Sequence, residues 1–355
     1  MAKNRSLNNA GIARQDEFYT RLTDIEKELR HYRNHFAGKI VFCNCDDPFE
    51  SNFFRYFVMN FNRLHLKQLI CTCYAGSPVM GQQMTFADIL GRPETPSDKP
   101  YKAVVNKVYD ITGDGAIDLN DIVELFRAGE NTLTELDADG DFRSDECVEI
   151  LDLADIVVTN PPFSLFKEYI SQLIEHEKKF IIIGSKNAIT YRDFFPLLRD
   201  GKLWTGYGFS GGDAYFMIPP ENARDFADGV YDPEHGLVHF RNVTWYTNMD
   251  INRRHEDLIL TKRYDPELYE KYDNYDAINV NRLVDIPYDY DGVMGVPITI
   301  IEHHNPDQFE IIGLTAGNIK GLAGIPTSTG KDGPYINGKL KYGRVLIRNK
   351  HPEAI

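Results

Sequence analysis

The sequence predicts an α/β protein in which helices cover both faces of a mainly parallel β-sheet. Two patterns lead to this prediction. Short, almost continuously apolar segments are typical of strands buried on both sides, and they alternate with segments whose apolar residues recur every three or four positions, as in amphipathic helices. After about residue 200 both patterns give way to aromatic-rich segments and turns, so we expect a smaller, irregular second region there.

The elements follow in order. A first helix carries one apolar stripe, listed here: Phe18, Leu22, Ile25, Leu29, Tyr32 and Phe36. Thr23 and Glu26 have capping-box spacing, which would start the regular helix at Thr23. Buried strands are predicted at 39–45 and 68–74, with an aromatic helix at about 51–61 between them.

Residues 75–135 read as an acidic insertion with a hairpin and a short helix at about 119–127. A helix capped by Ser144 then begins, and a strand at 155–159, a helix from Phe166 and a strand at 179–184 complete the alternation. Cys43, Cys45, Cys71 and Cys73 lie inside strand-like segments, where core packing is a better interpretation than a metal site.

Composition is that of a globular protein, with 42% hydrophobic and 26% charged residues and no apolar run long enough to cross a membrane. With no signal-peptide pattern either, we expect a cytoplasmic protein. The net charge is −14, but residues 101–160 hold fifteen acids against four bases, whereas residues 315–355 hold seven bases against two acids. This uneven distribution is compatible with one surface held to nucleic acid, and equally with a solvated charged surface.

The strongest chemical signal is Asn160-Pro161-Pro162-Phe163, which directly follows a predicted strand. Ligands of open parallel sheets bind at the carboxyl ends of the strands, and two consecutive prolines stiffen the loop there. The Asn160 amide oxygen and the Pro161 carbonyl could accept both N–H bonds of an exocyclic amine, which would localise its lone pair for attack on a sulfonium methyl. Phe163 could stack on a base taken out of a duplex.

This tetrapeptide resembles the motif of N6-adenine and related amino-methyltransferases. Its order with three other segments, 16–20, 43–54 and 140–144, resembles the EcoRI-type adenine-specific DNA methyltransferases. The resemblance implies a Rossmann-like fold that binds S-adenosylmethionine (SAM), a flipped-out adenine in double-stranded DNA as substrate, no catalytic metal, and a bacterial or phage origin with a companion restriction endonuclease. The catalytic domain would span 1–210 and target recognition 211–355, with strands of the latter returning to the sheet.

The resemblance also implies cofactor contacts. Phe18, Tyr19 and Thr20 would lie beside the methionine end of SAM, and Asp141 and Phe142 beside its adenine. Where the family usually has a glycine-rich loop, this chain has Asp46-Asp47-Pro48 and Ser51 at a helix start, which could receive the amino and carboxylate groups. Two acids making a turn before a helix are the alternative interpretation. The acid expected to bind the ribose is missing.

Two further patterns stay open. Asp110, Thr112, Asp114, Asp118 and Asp121 have the spacing of a calcium loop, although an acidic turn with Gly115 would look alike. Such a calcium ion would be structural.

The aromatics after residue 200 could line a base pocket, although each alone fits a core position better; they are Trp204, Tyr207, Phe209, Trp245 and Tyr246. The competing functions are methylation of an RNA base or a protein glutamine, and a DNA-binding relative without catalysis.

Overall fold

The computed structural model describes residues 19–45, 51–73, 100–218, 229–315 and 333–353. In these ranges the α-helices are α1 (Leu22–Leu29), α2 (Asn52–Met59), α3 (Leu119–Arg127), α4 (Asp145–Leu153), α5 (Phe166–Glu175) and α6 (Phe195–Arg199). The strands are β1 (Tyr19–Thr20), β2 (Ile40–Cys43), β3 (Gln68–Thr72), β4 (Tyr101–Val105), β5 (Thr132–Glu135), β6 (Ile156–Thr159), β7 (Lys179–Ser185), β8 (Trp204–Thr205), β9 (Ala214–Met217), β10 (Tyr231–Asp232), β11 (Leu237–Phe240), β12 (Val243–Thr247), β13 (Ile278–Asn279), β14 (Val293–Val296), β15 (Phe309–Leu314), β16 (Tyr335–Ile336), β17 (Lys339–Leu340) and β18 (Val345–Asn349).

The chain divides into two compact units. The first comprises residues 1–185 and 208–249, and the second comprises residues 186–207 and 250–355. These bounds describe compactness, so the functional division that we predict at residue 210 stays a prediction. No helix among the described residues has both the length and the apolarity needed to cross a bilayer.

Seven strands of the first unit form one sheet in the order β5-β4-β3-β2-β6-β7-β12. The central strands β3, β2, β6 and β7 are parallel, β4 and β12 run antiparallel to them, and β5, which is antiparallel to β4, runs in the direction of the central strands. The fold is therefore α/β as predicted, and the sheet is mixed, with five of these seven strands running in one direction. The antiparallel strands come from the acidic insertion and from the region after residue 200, where we did not predict the pairing partners. Strand β12 lies beyond residue 210 and pairs with β7.

The strands β2 and β6 form close to where they were predicted, because their residues are apolar on both faces of the sheet. All four residues of β6 are buried, as are Val41, Phe42 and Cys43 of β2. The stripe of the first helix is also confirmed, since Ile25, Leu29, Tyr32 and Phe36 are fully buried. Tyr32 lies in a 3₁₀ turn, Arg30–His35, that continues α1.

The predicted capping box of the first helix is wrong. Arg21 is the N-cap residue of α1, and its side chain binds Asp24 in the first turn at 2.8 Å. A carboxylate near a helix N-terminus is stabilised by the helix dipole, and here a partly buried ion pair adds to that effect. Helix α4, by contrast, begins as predicted, because the Ser144 hydroxyl accepts from the backbone N–H of Cys147.

The acidic insertion extends the main sheet and does not stand apart from it. Strand β4 pairs with β3, and β5 pairs with β4, so the connection between them carries α3 along the edge. Of the four cysteines predicted to pack in the core, Cys43, Cys71 and Cys73 are buried, whereas Cys45 is half-buried. Residues 74–99 of the insertion lie outside the described ranges.

A second, antiparallel sheet of the first unit has the order β1-β9-β11-β10. Thr20 of β1 lies opposite Phe216 of β9, and Tyr19 lies opposite Met217. The inner face of this sheet is apolar, with Phe216 and Val238 fully buried. The pairing holds the N-terminal segment 19–20 beside strand β9, far along the sequence.

The second unit contains a small sheet in the order β13-β14-β18-β15. Its core includes Met294, Ile300 and Ile347, none of which is exposed to solvent. A separate hairpin, β16–β17, precedes the central strand β18. The strands of this unit are short and many of its residues lie in turns, which explains why the sequence after about residue 250 lacks regular apolar patterns.

Candidate active site

The candidate site lies at the carboxyl ends of β2 and β6. The chain passes from β2 to β3 on one side, whereas β6 pairs with the other side of β2, so the order in which the chain adds strands to the sheet reverses between β2 and β6, although both strands are parallel. Open α/β sheets bind ligands at such a reversal point. The Thr159 hydroxyl, at the end of β6, donates a hydrogen bond to the backbone carbonyl of Asn44, just after β2.

Asn44 also joins a third strand to this place. Its buried side-chain oxygen accepts a hydrogen bond from the Thr72 hydroxyl, at the end of β3, at 3.1 Å. One asparagine therefore connects the carboxyl ends of β3, β2 and β6. Sequence reasoning missed this residue, although the threonines that end β3 and β6 were a signal that these strands finish in polar surroundings.

The loop Asn160-Pro161-Pro162-Phe163 begins directly after β6, as predicted. Asn160 is half-buried and Pro161 is buried. The Pro162 carbonyl accepts a hydrogen bond from the backbone N–H of Leu165 at 3.0 Å, so a tight turn leads into α5. The loop is held between the last residue of a buried strand and the first turn of a helix, which leaves Asn160 at the reversal point.

Phe163 belongs to a continuous aromatic cluster in the first unit, which comprises Phe163, Phe216, Phe209, Trp245 and Phe53. Its ring meets the ring of Phe216 edge to face, with 6.3 Å between centroids. Phe209 stacks on Trp245 at 5.7 Å, and Trp245 meets Phe53 of α2 at 6.0 Å. The cluster fixes one side of the loop, because most of its rings are buried.

Other predicted pocket aromatics are divided between the units. Trp245 and Tyr246 are fully buried in the main sheet of the first unit. Trp204 and Tyr207 belong to the second unit, where the guanidinium groups of Arg254 and Arg253 lie over their rings at 3.5 Å and 5.8 Å. The structure therefore does not bring these residues together in one unit.

Thr20 lies where the small sheet meets α2. The Asn52 side chain donates a hydrogen bond to the Thr20 carbonyl at 2.8 Å, while Ser51 caps α2 by accepting from the backbone N–H of Phe53. The Thr20 hydroxyl oxygen is buried and has no hydrogen-bond partner among the described residues. A buried hydroxyl costs free energy unless a partner satisfies it. Phe18, Asp46, Asp47 and Pro48 lie outside the described residues.

Gly140, Asp141 and Phe142 lie beside the carboxyl end of β3. Gly140 has a φ of +77°, and a Cβ on it would overlap the carbonyl oxygen of Cys73. Only glycine allows this close approach of two backbones. The segment that follows the acidic insertion is therefore held against the carboxyl end of β3.

Asp141 is bound by Arg143. The guanidinium donates to both carboxylate oxygens, at 2.8 Å and 2.6 Å, and its other side donates to Glu168 of α5 at 3.0 Å. These hydrogen bonds lower the pKa of Asp141 below its ordinary value. Arg143 was not among the predicted site residues, although it follows Asp141 closely enough to reach its carboxylate.

Phe142 is buried and meets Tyr169 of α5 edge to face, at 5.0 Å between centroids. Gln172 of the same helix donates to the Phe142 carbonyl at 3.1 Å. Helix α5 starts just after the Asn160–Phe163 loop, and it contacts residues 142–143 through the side chains of Glu168, Tyr169 and Gln172. Helix α5 therefore connects the predicted catalytic loop, Asn160–Phe163, with the predicted contacts to the cofactor adenine, Asp141 and Phe142.

The carboxylates of the predicted calcium loop bind backbone N–H groups of the loop itself. Asp110 accepts from Gly113 at 2.6 Å and Gly115 at 2.8 Å, and Asp118 and Asp121 form a capping box at the start of α3. Hydrogen bonds from the backbone of Asp118 and Thr112 lower the pKa of Asp121. Within the described residues, no group of three or more His, Cys, Asp or Glu side chains is arranged to hold a metal. Calcium binding stays a prediction.

The α/β fold and the loop Asn160–Phe163 at the end of β6 are the features expected of an amino-methyltransferase, and the comparisons show the family. The family model "Adenine-specific methyltransferase EcoRI" matches residues 6–350. The chain belongs to this family of adenine-specific methyltransferases.

Three similar proteins cover nearly the whole chain. It is 41% identical to the type II methyltransferase M.EcoRI of Escherichia coli, over 98% of each protein. It is 34% identical to the type II methyltransferase M.MgeORF184P of Mycoplasma genitalium and 32% identical to M.MpnI of Mycoplasma pneumoniae, in both cases over 97% of this chain and 98% of the relative. No solved structure matches the chain. The family is adenine-specific, so the glutamine alternative is not favoured.

Proposed function

We propose that this protein transfers the methyl group of SAM to N6 of a flipped-out adenine in double-stranded DNA. One observation supports the proposal most directly. Asn160-Pro161-Pro162-Phe163 follows β6 at the point where the order of strand addition to the sheet reverses, between the carboxyl ends of β2 and β6. This is where an open α/β sheet of the Rossmann-like type binds its ligand. The type II methyltransferase names of the relatives support DNA as the substrate.

Asn160 and Pro161 are the residues that would activate the amine. An exocyclic amine has two N–H bonds and a lone pair delocalised into the ring. The Asn160 side-chain oxygen and the Pro161 carbonyl can accept one N–H each, which draws the nitrogen towards tetrahedral geometry and frees the lone pair. Phe163, fixed by its contact with Phe216, would pack on the face of the base.

The residues present fit SAM, whose sulfonium supplies the transferable methyl group. The buried Thr20 hydroxyl has no hydrogen-bond partner among the described residues, and a polar group of the methionine end would satisfy it. Tyr19 lies next to it, and Ser51 opens the helix α2 nearby through its cap. Asp141, kept ionised by Arg143, would accept from the adenine amino group of SAM at the end of β3. Phe18, Asp46, Asp47, Pro48 and Phe142 complete the proposed contacts.

Target recognition would fall to residues 211–355, and residues 1–210 would carry catalysis. A companion endonuclease and a bacterial or phage cytoplasm follow from the same proposal, because type II methyltransferases belong to restriction systems. The alternative of an inactive DNA-binding relative is less favoured, since the catalytic tetrapeptide is complete. An RNA base is the other substrate that the site chemistry allows.

The test is transfer of labelled methyl groups. Purified protein is incubated with SAM carrying a tritiated methyl group and with duplex DNA, RNA or protein, and the product nucleoside is identified by mass spectrometry. We expect N6-methyladenine in DNA alone. Asn160→Ala should lower the transfer rate about 10²- to 10³-fold, the effect of losing one transition-state hydrogen-bond group, while SAM binding is kept.

A matched control is Asn120→Ala, which removes an exposed asparagine near the start of α3 and should leave the rate unchanged. Label in RNA or protein and not in DNA would exclude the proposed substrate. An Asn160→Ala protein as active as the unchanged one would exclude the proposed chemistry.

A further inference from the structure

The hairpin β16–β17 of the second unit has an unusual surface. Its register pairs Tyr335 with Leu340 and Ile336 with Lys339, which leaves a two-residue turn, Asn337-Gly338. Both turn residues have positive φ, 50° and 70°, as a type I′ turn requires. Asn and Gly are the residues that adopt this turn most easily, so the sequence itself encodes the hairpin.

The turn is fixed from below by two neighbouring side chains. The Asp273 carboxylate accepts from the backbone N–H of Asn337 at 3.2 Å and of Gly338 at 2.8 Å. Asn274 accepts from the Tyr335 N–H at 2.9 Å and donates to the Gly333 carbonyl at 2.7 Å. The backbone of a short hairpin, which would be marginal alone, is therefore held in one conformation.

All residues from 337 to 343 are exposed, including two large apolar side chains. Leu340 is 55% exposed and Tyr342 is 86% exposed. They alternate with Lys339 and Lys341, so basic and apolar groups are interleaved along the outgoing strand. An apolar surface of this kind, rimmed by one charge sign, is typical of an interaction site.

Several other cations of the second unit are neutralised by a neighbouring acid, unlike these two lysines. Arg282 is paired with Asp285 at 2.7 Å, Lys186 with Glu302 at 2.7 Å and Arg348 with Glu310 at 3.3 Å. Neither Lys339 nor Lys341 forms an ion pair with any described residue, and residues 337–344 contain no acid. Their charge is thus available to an external anion.

The geometry points to the hairpin 335–342 as a contact element for duplex DNA, with Lys339 and Lys341 on phosphates and Tyr342 against a groove wall or a base step. The inference rests on the proposed function, which supplies DNA as the partner. A two-stranded ribbon fits the width of the major groove, and interleaved Lys and aromatic side chains provide phosphate contact and apolar contact together. The overall acidity of the chain makes such a local basic surface necessary.

The experiment measures binding of a fluorescein-labelled duplex by anisotropy at several salt concentrations. Lys339→Ala/Lys341→Ala should lower the slope of log affinity against log salt by about 1.8, since each phosphate contact contributes about 0.9. Tyr342→Ala should weaken binding about tenfold and leave the slope unchanged. The control Lys262→Ala/Lys271→Ala removes two exposed lysines of the same unit and should not change the slope.

All variants should keep the melting temperature and the SAM affinity of the unchanged protein, because the altered side chains are exposed. An unchanged slope in the Lys339/Lys341 variant, in a preparation that methylates DNA, would overturn the hairpin inference and leave the proposed function intact. An unaltered protein that binds no duplex and transfers no methyl group to it would overturn both.

Discussion

At the scale of single residues, Arg143 and Asp141 show how one side chain prepares another. Two hydrogen bonds from the guanidinium, at 2.8 Å and 2.6 Å, hold the carboxylate and lower its pKa. A folded-state pKa below the unfolded value of about 3.9 gives a contribution that is present above that value and lost as pH falls through the folded pKa. The ion pair thus widens the acidic range in which Asp141 can accept a hydrogen bond.

Arg143→Gln should narrow the pH range in which the Asp141 carboxylate is ionised. Without the guanidinium the pKa of Asp141 rises towards its ordinary value, so protonation begins at higher pH and SAM binding weakens as pH falls below about 5. Calorimetric titration of SAM between about pH 3.5 and pH 8 would show it. Arg143→Lys, which keeps the charge without the paired hydrogen bonds, should fall between the two. Parallel pH profiles for all three proteins would contradict the role of Asp141.

Thr20 allows a test in which stability and binding change in opposite directions. Its buried hydroxyl has no hydrogen-bond partner among the described residues, and valine has nearly the same shape. Thr20→Val should raise the free energy of unfolding of the ligand-free protein by roughly 1 kcal/mol, by removing an unsatisfied polar group. The same change should weaken SAM binding about tenfold, since a lost hydrogen bond is worth about 1.4 kcal/mol there.

Urea unfolding and calorimetry would measure the two quantities in the same preparations. A Thr20→Val protein that binds SAM with unchanged affinity would remove Thr20 from the cofactor site. A variant that is both less stable and weaker in binding would show that the hydroxyl acts in packing.

At the scale of elements, the close approach of Gly140 to Cys73 joins the insertion to strand β3. Any side chain at Gly140 meets the Cys73 carbonyl, whereas a Cβ on Gly129, which has a similar φ of +74°, would meet nothing within 4 Å. The two glycines therefore separate the cost of a left-handed conformation from the cost of overlap. Only the cost of overlap arises from the close approach of Gly140 to the end of β3.

Gly140→Ala should lower the free energy of unfolding by about 3 kcal/mol, the sum of backbone strain and overpacking. Gly129→Ala should lower it by about 1 kcal/mol, because only the strain applies. Urea denaturation of both variants measures the difference. Equal losses in the two proteins would mean that β3 and the 139–143 loop can separate at no cost.

How far the sequence predicts these elements depends on their environment. The strands β2, β3, β6 and β7 could be predicted because apolar residues on both faces are a local signal. The strands β4 and β5 could not be predicted in the same way. Strands with partly exposed residues carry a weaker apolar pattern, and β3, the partner of β4, is distant in sequence. The start of α1 was wrong for a related reason: the Arg21–Asp24 ion pair replaced a capping box that the spacing alone favoured.

For the site, the motif Asn160–Phe163 was predictable because its chemistry is carried by four consecutive residues. Asn44 and Phe216 were not, because each acts through a partner that the fold brings near, Thr159 and Phe163. Arg143 binds Asp141 two residues away, and only its second partner, Glu168, depends on the fold. A sequence shows which groups exist, but the contacts between distant groups require the sheet order. Phe216 in particular lies in the aromatic region that sequence analysis could describe only as irregular.

At the scale of the whole molecule, the net charge of −14 and a DNA substrate are compatible because the charges are distributed unevenly. The acids gather in residues 101–160, and many of them bind backbone N–H groups, as Asp110 and Asp121 do. The exposed lysines of the hairpin lie about 180 residues further along the sequence, in its basic region 315–355. The charge that matters for DNA is local, within the screening distance of about 8 Å at physiological salt.

The path of the chain through the first unit also has a consequence for its synthesis. Strand β12, which pairs with β7 and carries the fully buried Trp245, is made only after the chain has left the first unit at residue 185 and returned at 208. At about 5–20 residues per second, a ribosome needs roughly 3 to 13 seconds to go from β7 to the end of β12. During that interval the edge of β7 and the ring of Phe53 have no contact with β12, so the nascent chain is most open to aggregation and to chaperones while this last strand is still being translated.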